Sequence, residues 1–260
     1  MFETLTSPRT LSQEIEQRIE LAIRQKQLGI GEKLPSEKEL CSMFNVSRTA
    51  LREALQALNA RNLVTIRKGS GVFVNDYSSL HASKPMGLFL ELNFDKNYIF
   101  HLIHVRQVIE PVIAREAAKN RSEQQDLALR SIVERMEKTE IHHELAKLDL
   151  AFHSELAEAS GNPILALIMK PVFQLMPKVK LLMIRKVKQE ARYTAAQYHQ
   201  EICDAITVQD AVRAERAMMD HLKVAEKDAN LLMDTLKPDE ELYLEDLADL
   251  ETFDLNDLTE

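Results

Sequence analysis

The hydrophobic pattern of residues 1–77 predicts three short helices followed by two strands. A helical period covers residues 10–28, and one apolar face of it is formed by Leu11, Ile15, Ile19, Ala22 and Ile23. After a loop, Ser36 can cap a second helix, and Glu39 three residues later completes a capping box. Ser47 can cap a third helix after the turn Asn45-Val46, with inward positions at Ala50, Leu51, Ala54, Leu55 and Leu58.

Two β-branched runs follow the third helix, at residues 63–67 and 71–75. The short segment between them contains Lys68, Gly69 and Ser70 and is followed by Gly71, which suits a tight hairpin. A helix, a helix–turn–helix and a two-stranded wing in this order predict a winged helix–turn–helix domain over residues 1–77.

The remainder of the chain has a nearly continuous helical period over residues 87–236, which predicts six or seven helices. Breaks in the period lie near residues 120–122, 161–163 and 207–210. Residues 78–86 contain serine and proline without a clear period, and we interpret them as a linker. The fold class predicted for the whole chain is therefore mainly α, with an all-helical second domain at 87–236.

Charge is distributed unevenly along the chain, whose net charge is -8. Residues 239–260 contain ten acidic residues and no lysine or arginine, so residues 1–238 have a net charge of +2. We interpret residues 237–260 as a solubilising tail that is disordered or weakly helical, and shielding of basic surface elsewhere on the protein is the alternative.

Composition also bears on the compartment in which the protein works. Two cysteines, Cys41 and Cys203, are far apart in helical context, which favours a reducing environment over a disulfide framework. No apolar run approaches the ~18 residues of a membrane span, and the first residues do not resemble a signal peptide. These features predict a cytoplasmic protein without a membrane segment.

The start of the third helix concentrates groups that suit DNA. The basic residues between 47 and 68 are Arg48, Arg52, Arg61, Arg67 and Lys68, against the single acid Glu53. In a helix–turn–helix the second helix presents its N-terminal residues to the base edges, which here are Ser47, Arg48, Thr49 and Arg52. Arg48 and Arg52 share one face at i, i+4. The alternative is a solvated helix face without a ligand.

Three segments in order, LPSEKEL, VSRTALREALQALNARNLV and RKGSGVFV, resemble the winged helix–turn–helix of the GntR family over residues 10–75. The resemblance implies DNA contacts at Lys38, Arg48, Thr49, Arg52 and the wing 69–71. The family commonly has arginine where this chain has Lys38, and lysine contacts phosphate without bidentate geometry. The candidate DNA-binding residues are Ser36, Lys38, Ser47, Arg48, Thr49, Arg52, Lys68, Gly69, Ser70 and Gly71.

Histidines in the second half form a candidate metal site. Asp149 and His153 lie at i, i+4 on one helix face, and His199 and His221 each precede apolar positions at helical spacing that direct them inward. A carboxylate and three imidazoles in a helix bundle can hold zinc, nickel or another borderline divalent metal. The alternative is that they are ordinary core or surface histidines.

A second resemblance covers residues 95–232. The segments VRQVIEPVIAREAA, LDLAFHSELAEASGNPIL, YHQEICDAI and AERAMMDHL are similar to the FCD domain, the all-helical effector domain of the FadR subfamily of GntR regulators. The resemblance implies the metal-containing branch, with metal ligands Asp149, His153, His199 and His221. It also implies that Arg106 pairs with an effector carboxylate, whereas the alternative for Arg106 is an intrahelical pair with Glu110.

Together the two resemblances imply a ligand-responsive transcriptional regulator and not an enzyme. We expect a homodimer that binds an inverted-repeat operator in double-stranded DNA. It would repress catabolic or transport genes and respond to a small organic or sugar acid. Three alternatives stay open at this point: a regulator for which the metal itself is the signal, a metal-dependent enzyme fused to a DNA-binding module, and a purely structural metal.

Overall fold

A computed structural model describes residues 10–76, 79–186 and 191–235. Within these ranges the chain forms ten helices and two strands, so the prediction of a mainly α fold is confirmed. The chain divides into two compact units, with the boundary between Ala82 and Ser83. The acidic segment 237–260 lies outside the described residues.

The first unit has the predicted order of elements. Its bounds are α1 at Leu11–Arg24, α2 at Glu37–Phe44, α3 at Arg48–Ala60, β1 at Val64–Arg67 and β2 at Gly71–Val74. Helix α3 packs against α1, α2 and β1. The apolar core includes Ile15, Ile19, Leu40, Leu51, Leu55, Leu58, Val64 and Val72. A winged helix–turn–helix therefore forms around α3.

Side-chain caps determine where α2 and α3 begin. The Ser36 hydroxyl accepts a hydrogen bond from the Glu39 amide at 3.3 Å, while the Glu39 carboxylate accepts one from the Ser36 amide at 2.8 Å. The predicted capping box is thus present. The Ser47 hydroxyl accepts from the Ala50 amide at 3.2 Å. Between the helices, Asn45 adopts the left-handed conformation that ends α2.

Helix α1 is shorter than the predicted segment 10–28. It ends at Arg24, and Lys26 has a positive φ of 57°. The amides of Gln27 and Leu28 both donate hydrogen bonds to the carbonyl of Ala22, and these bonds cap the C-terminal end of the helix. A residue in the left-handed region cannot continue an α-helix, so the periodic pattern extends beyond the helix itself.

The wing is a two-stranded antiparallel hairpin in which Val64 pairs with Val74 and Arg67 pairs with Gly71. Gly69 and Gly71 have φ values of 76° and 122°, in the region where residues with a Cβ are strained. A Cβ on Gly71 would also lie 2.7 Å from Cε of Lys33. The glycines therefore shape the hairpin as the sequence predicted.

Seven helices follow the wing among the residues that the structure describes, and they lie in the second unit except for the first turn of the first of them. They are α4 at Ser79–Leu92, α5 at Lys96–Asn120, α6 at Glu123–Lys138, α7 at His142–Ala159, α8 at Pro163–Lys186, α9 at Ala191–Thr207 and α10 at Ala211–Thr235. The predicted breaks near 120–122, 161–163 and 207–210 each separate two of these helices. No helix in the described ranges is long and apolar enough to span a membrane.

The segment 78–86, which the sequence predicted as a linker, is helical from Ser79 onward. Helix α4 continues through Pro85 to Leu92. Pro85 removes one backbone hydrogen bond from the helix. Leu90 in the later part of α4 packs against the core of the second unit, and Ser83 is buried. The boundary between the two units lies within this segment, so its role as a linker stays a prediction. Packing outweighs the local signals of serine and proline, and the segment is helical from Ser79 onward.

Helices α5, α7, α8, α9 and α10 of the second unit meet around a common interior. Helix α5 packs against α7, α9 and α10, and α7 packs against α8. Fully buried side chains in this interior include Ile99, Ile103, Ile113, Phe152, Leu156, Met169 and Ile202. Inward-facing polar residues on α5, α7, α9 and α10 are therefore brought close together.

Candidate functional site

Three histidines converge in the interior of the helical unit. His153 comes from α7, His199 from α9 and His221 from α10, and they are 2%, 0% and 6% exposed. One ligating nitrogen of each lies within 4.8 Å of the others. The ring centroids of His199 and His221 are 4.5 Å apart, and those of His153 and His221 are 5.3 Å apart. Three of the four metal ligands predicted from the sequence thus have their ligating nitrogens close together.

The chemistry of this cluster fits a divalent metal. Burial lowers the pKa of His199 below its ordinary value, and burial together with the neighbouring histidines lowers the pKa of His221 well below it. Neutral imidazoles are the form that coordinates metal. Nδ1 of His221 is buried and has no hydrogen-bond partner among the described residues. Buried imidazole nitrogens that face one another are a donor set that zinc binds well.

Asp149, the fourth predicted ligand, lies beside the three histidines on α7. Its Oδ1 is 3.3 Å from Nε2 of His199, and the same oxygen accepts a hydrogen bond from Nζ of Lys180 on α8. Burial on its own raises the pKa of this carboxyl, but the Lys180 ammonium and the two nearby histidines hold it well below its usual range. Asp149 is therefore a charged carboxylate that contacts the cluster through His199.

Arg106 lies against the histidine cluster on α5 and is only 2% exposed. Its Nη2 is 3.0 Å from Nε2 of His153. Its Nε donates to Oε1 of Glu110, so the intrahelical pair considered as the alternative for Arg106 is also present. That pair is buried rather than solvated, and the role of Arg106 in binding an effector carboxylate stays a prediction.

Two residues of this site were not predicted from the sequence to belong to it, although Glu110 was named as the alternative partner of Arg106. Glu110 is fully buried, and its Oε2 is 2.7 Å from Nδ1 of His153. Burial on its own raises the pKa of Glu110, but the Arg106 guanidinium and the contact with His153 lower it to about 2. Its spacing of four from Arg106 was a usable signal. Lys180 had no such signal, because it is 31 residues from Asp149 and on another helix.

The N-terminal end of α3 presents the predicted DNA-contacting residues to solvent. Arg48 and Thr49 are exposed in the first turn of the helix, and Arg52 is exposed one turn later. Nε of Arg52 donates to Glu37 on α2, at 3.0 Å from Oε2. Nine of the ten predicted residues are exposed, namely Ser36, Lys38, Ser47, Arg48, Thr49, Arg52, Lys68, Gly69 and Ser70. Gly71 is half-buried.

A cleft of about 580 Å³ separates α2 and α3 from the wing. The predicted residues that line it are Ser36, Arg52, Lys68, Gly69, Ser70 and Gly71. Lys33 and Glu37 line it as well, and the sequence did not single them out. The backbone of Lys33 forms an isolated antiparallel β-bridge with Phe73 of the wing. This contact joins residues far apart in the sequence, so the local pattern could not show it.

Comparison with known proteins decides the family. Residues 11–74 match the gntR family of bacterial regulatory proteins, and residues 101–224 match the FCD domain. The HTH-type transcriptional regulator LutR of Bacillus subtilis is 33% identical over 205 residues, which cover 77% of this chain and 92% of LutR. The chain belongs to the GntR family. Both resemblances noted in the sequence are therefore confirmed, including the FadR type with an FCD domain.

Two further relatives support this membership of the GntR family. The HTH-type transcriptional repressor NanR of Escherichia coli K12 is 31% identical over 214 residues, covering 82% of this chain and 81% of NanR. The solved structure of a Streptococcus agalactiae GntR protein has a TM-score of 0.64 and 26% identity, covering 83% of this chain and 99% of that one. This GntR-family chain is a ligand-responsive, DNA-binding transcriptional regulator and not an enzyme.

Proposed function

We propose that this GntR-family regulator senses a small organic or sugar acid through a metal-containing pocket in its helical unit. The observation that carries the proposal is the convergence of three buried histidines with Arg106, whose Nη2 lies 3.0 Å from His153. A metal-binding set beside a guanidinium forms a site selective for anions, because both groups attract carboxylate oxygens.

The residues that would hold the metal are His153, His199 and His221, with Asp149 as the fourth ligand. When bound, zinc or nickel would supply an open coordination position for an oxygen of the effector. Arg106 would donate charge-assisted hydrogen bonds to the effector carboxylate. Lys180 is a second cation at the site, held by Asp149, and adds to the preference for a negatively charged ligand.

Burial of the site gives these interactions their strength. Arg106 is in an almost water-free environment, where an uncompensated charge is costly. Glu110 compensates that charge in the interior and holds the guanidinium by its Nε. An arginine that is already oriented loses little side-chain entropy when an anion binds, which favours tight and selective recognition.

The response to the effector would reach DNA through a homodimer. We propose that two copies place their α3 helices one DNA turn apart on an inverted-repeat operator in the cytoplasm. Acid binding would favour the conformation that releases the operator, and so relieve repression of catabolic or transport genes. The similarity to NanR, a transcriptional repressor, supports this direction. Couplings of this kind are typically about 1–3 kcal/mol.

A thermal-shift screen tests the proposal. Purified protein of measured metal content is heated with a panel of organic and sugar acids. We expect at least one acid to raise the melting temperature, because a ligand that binds the native state stabilises it. The shift should disappear in Arg106→Ala and in His199→Ala, and persist in His101→Ala, which changes an exposed histidine of the same unit.

Two outcomes would contradict the proposal. If no divalent metal co-purifies or binds, and no acid shifts the melting temperature, the sensing site proposed here does not exist. If dialysis against a chelator followed by Zn²⁺ alone changes operator affinity, and acids add nothing, the metal itself is the signal. A purely structural metal would instead leave the acid response intact in His153→Ala while lowering its melting temperature.

A further inference from the structure

Glu110 is the central residue of a buried chain of polar contacts on α5. Both of its carboxylate oxygens are in use: Oε1 accepts from Nε of Arg106, and Oε2 lies 2.7 Å from Nδ1 of His153. Oε2 is also 3.4 Å from Nη2 of Arg106. The exposure of Glu110 is 0%, so water does not compete for these contacts. One carboxylate therefore touches both a candidate metal ligand and the candidate effector-binding residue.

These contacts determine which nitrogen of His153 carries its hydrogen. An ionised carboxylate can only accept, so Nδ1 of His153 must donate to Glu110. Nη2 of Arg106 lies 3.0 Å from Nε2 and 3.5 Å from Nδ1 of the ring, so it faces the ring between the two nitrogens rather than along the lone pair of Nε2. A neutral ring with hydrogen on Nδ1 has its lone pair on Nε2. Nε2 is thus the nitrogen available to a metal.

We propose that Glu110 is the positioning residue of this site, which holds the Nε2 lone pair of His153 toward the metal and orients Arg106 for the effector. The inference rests on the proposed function. A carboxylate that accepts the second ring hydrogen of a metal-bound histidine fixes the ring and increases the basicity of the ligating nitrogen. Glu110 makes this contact while also balancing the charge of Arg106.

A simple structural ion pair would not need this arrangement. Both oxygens of Glu110 face Arg106, through Nε and Nη2, as in the common pairing of buried guanidinium and carboxylate groups. Beyond that pair, Oε2 also contacts His153 at the shorter distance of 2.7 Å, and His153 comes from α7 rather than from α5. The contact links the element that carries Arg106 to the element that carries His153 and Asp149.

The test is the affinity for Zn²⁺ of the full-length protein carrying Glu110→Gln, measured by competition with a chromophoric chelator. This substitution preserves the shape of the side chain and removes its charge. Loss of such a partner typically weakens metal binding about 10- to 100-fold, and we expect a decrease in that range. Glu116→Gln is the matched control, because Glu116 is on the same helix and contacts the exposed Lys119. Its zinc affinity should equal that of the wild type.

A second readout separates positioning from a purely structural role. Nitrogen-15 NMR of the histidine rings reports which ring nitrogen carries hydrogen. We expect His153 to be in the Nδ1–H form in the wild type and to lose that preference in Glu110→Gln, since an amide can offer either a donor or an acceptor. A structural residue would change the melting temperature without changing the ring form or the zinc affinity.

Removal of Glu110 alone leaves Arg106 buried without its counter-charge, which can destabilise the fold. Arg106→Gln and the double variant Arg106→Gln/Glu110→Gln avoid that problem, because the double variant removes both charges. We expect zinc affinity to be lower in the double variant than in Arg106→Gln alone. Equal affinities in these two variants would overturn the proposal.

Failure of this inference can be distinguished from failure of the proposed function. If the wild type binds no Zn²⁺, the metal-containing pocket is wrong, while the NMR comparison still decides whether Glu110 sets the form of His153. If the wild type binds Zn²⁺ and Glu110→Gln binds it equally well with an unchanged His153 ring form, the pocket stands and the role of Glu110 is wrong.

Discussion

At the scale of single residues, Arg48 and Arg52 determine how the first unit can read DNA. Both are exposed and lie on one face of α3. Arg52 is held by Glu37 through its Nε, which leaves the outer guanidinium nitrogens toward solvent for a base edge or a phosphate. The exposed ion pair has little effect on stability, so its main consequence is the direction in which Arg52 points.

We predict that Arg48→Ala and Arg52→Ala each weaken operator binding. Loss of a bidentate contact to guanine costs about 1–3 kcal/mol and relaxes specificity at one base pair, whereas loss of a phosphate contact weakens all sequences and lowers the salt slope by about one. Fluorescence anisotropy at several salt concentrations measures both effects. Arg18→Ala, an exposed arginine on α1, is the control. Wild-type affinity in both α3 variants would show that this helix does not contact the operator.

At the scale of elements, the wing depends on two glycines that allow a short turn. Gly71 has a φ of 122°, and a Cβ there would meet the side chain of Lys33. Lys33 is flexible and can move, so the backbone conformation accounts for most of the cost of a substitution. A backbone β-bridge between Lys33 and Phe73 joins the wing to the loop that precedes α2.

Gly71→Ala is expected to destabilise the first unit by about 1–3 kcal/mol, the usual cost of a residue held in a disfavoured backbone region. Chemical denaturation followed by circular dichroism measures the change in the free energy of unfolding. Gly29→Ala serves as the comparison, because Gly29 has an ordinary φ and a Cβ there would lie 3.4 Å from a Glu32 oxygen. Equal stability of the two variants would mean that the turn tolerates a Cβ at residue 71.

Helix α4 shows at the same scale where local signals are insufficient. Serine and proline in 78–86 are typical of a linker, and the sequence offers no period to contradict that reading. The helix forms because its later residues have a core to pack against, as Leu90 does. Most helical stability in proteins comes from such packing rather than from intrinsic propensity.

At the scale of the whole molecule, effector and operator binding are thermodynamically linked. If an acid weakens operator binding by a given factor, the operator must weaken acid binding by the same factor. We predict a reciprocal effect of about 5- to 150-fold, measured by anisotropy of labelled operator with acid and by calorimetry of the acid with operator. Arg106→Ala should retain operator binding and lose the coupling. Unequal factors in the two titrations would exclude a simple two-site linkage.

The sequence alone determined the order of elements, because helix caps, apolar periods and turn residues are local. Ser36, Ser47 and the wing glycines have their roles in the structure for the reasons that their spacing indicated. The three histidines could be predicted as candidate metal ligands, since each precedes an apolar stretch at helical spacing. Their burial and convergence are consistent with that prediction.

The tertiary structure alone decided how the polar interior is connected. Glu110 joins Arg106 to His153, and Lys180 reaches Asp149 from a different helix. These contacts depend on how α5, α7 and α8 pack. The contacts between helices join residues that are 31 or more positions apart in the sequence. A local pattern cannot specify such distances, because the same apolar period allows many helix arrangements. Only the packing of the complete core selects one of them.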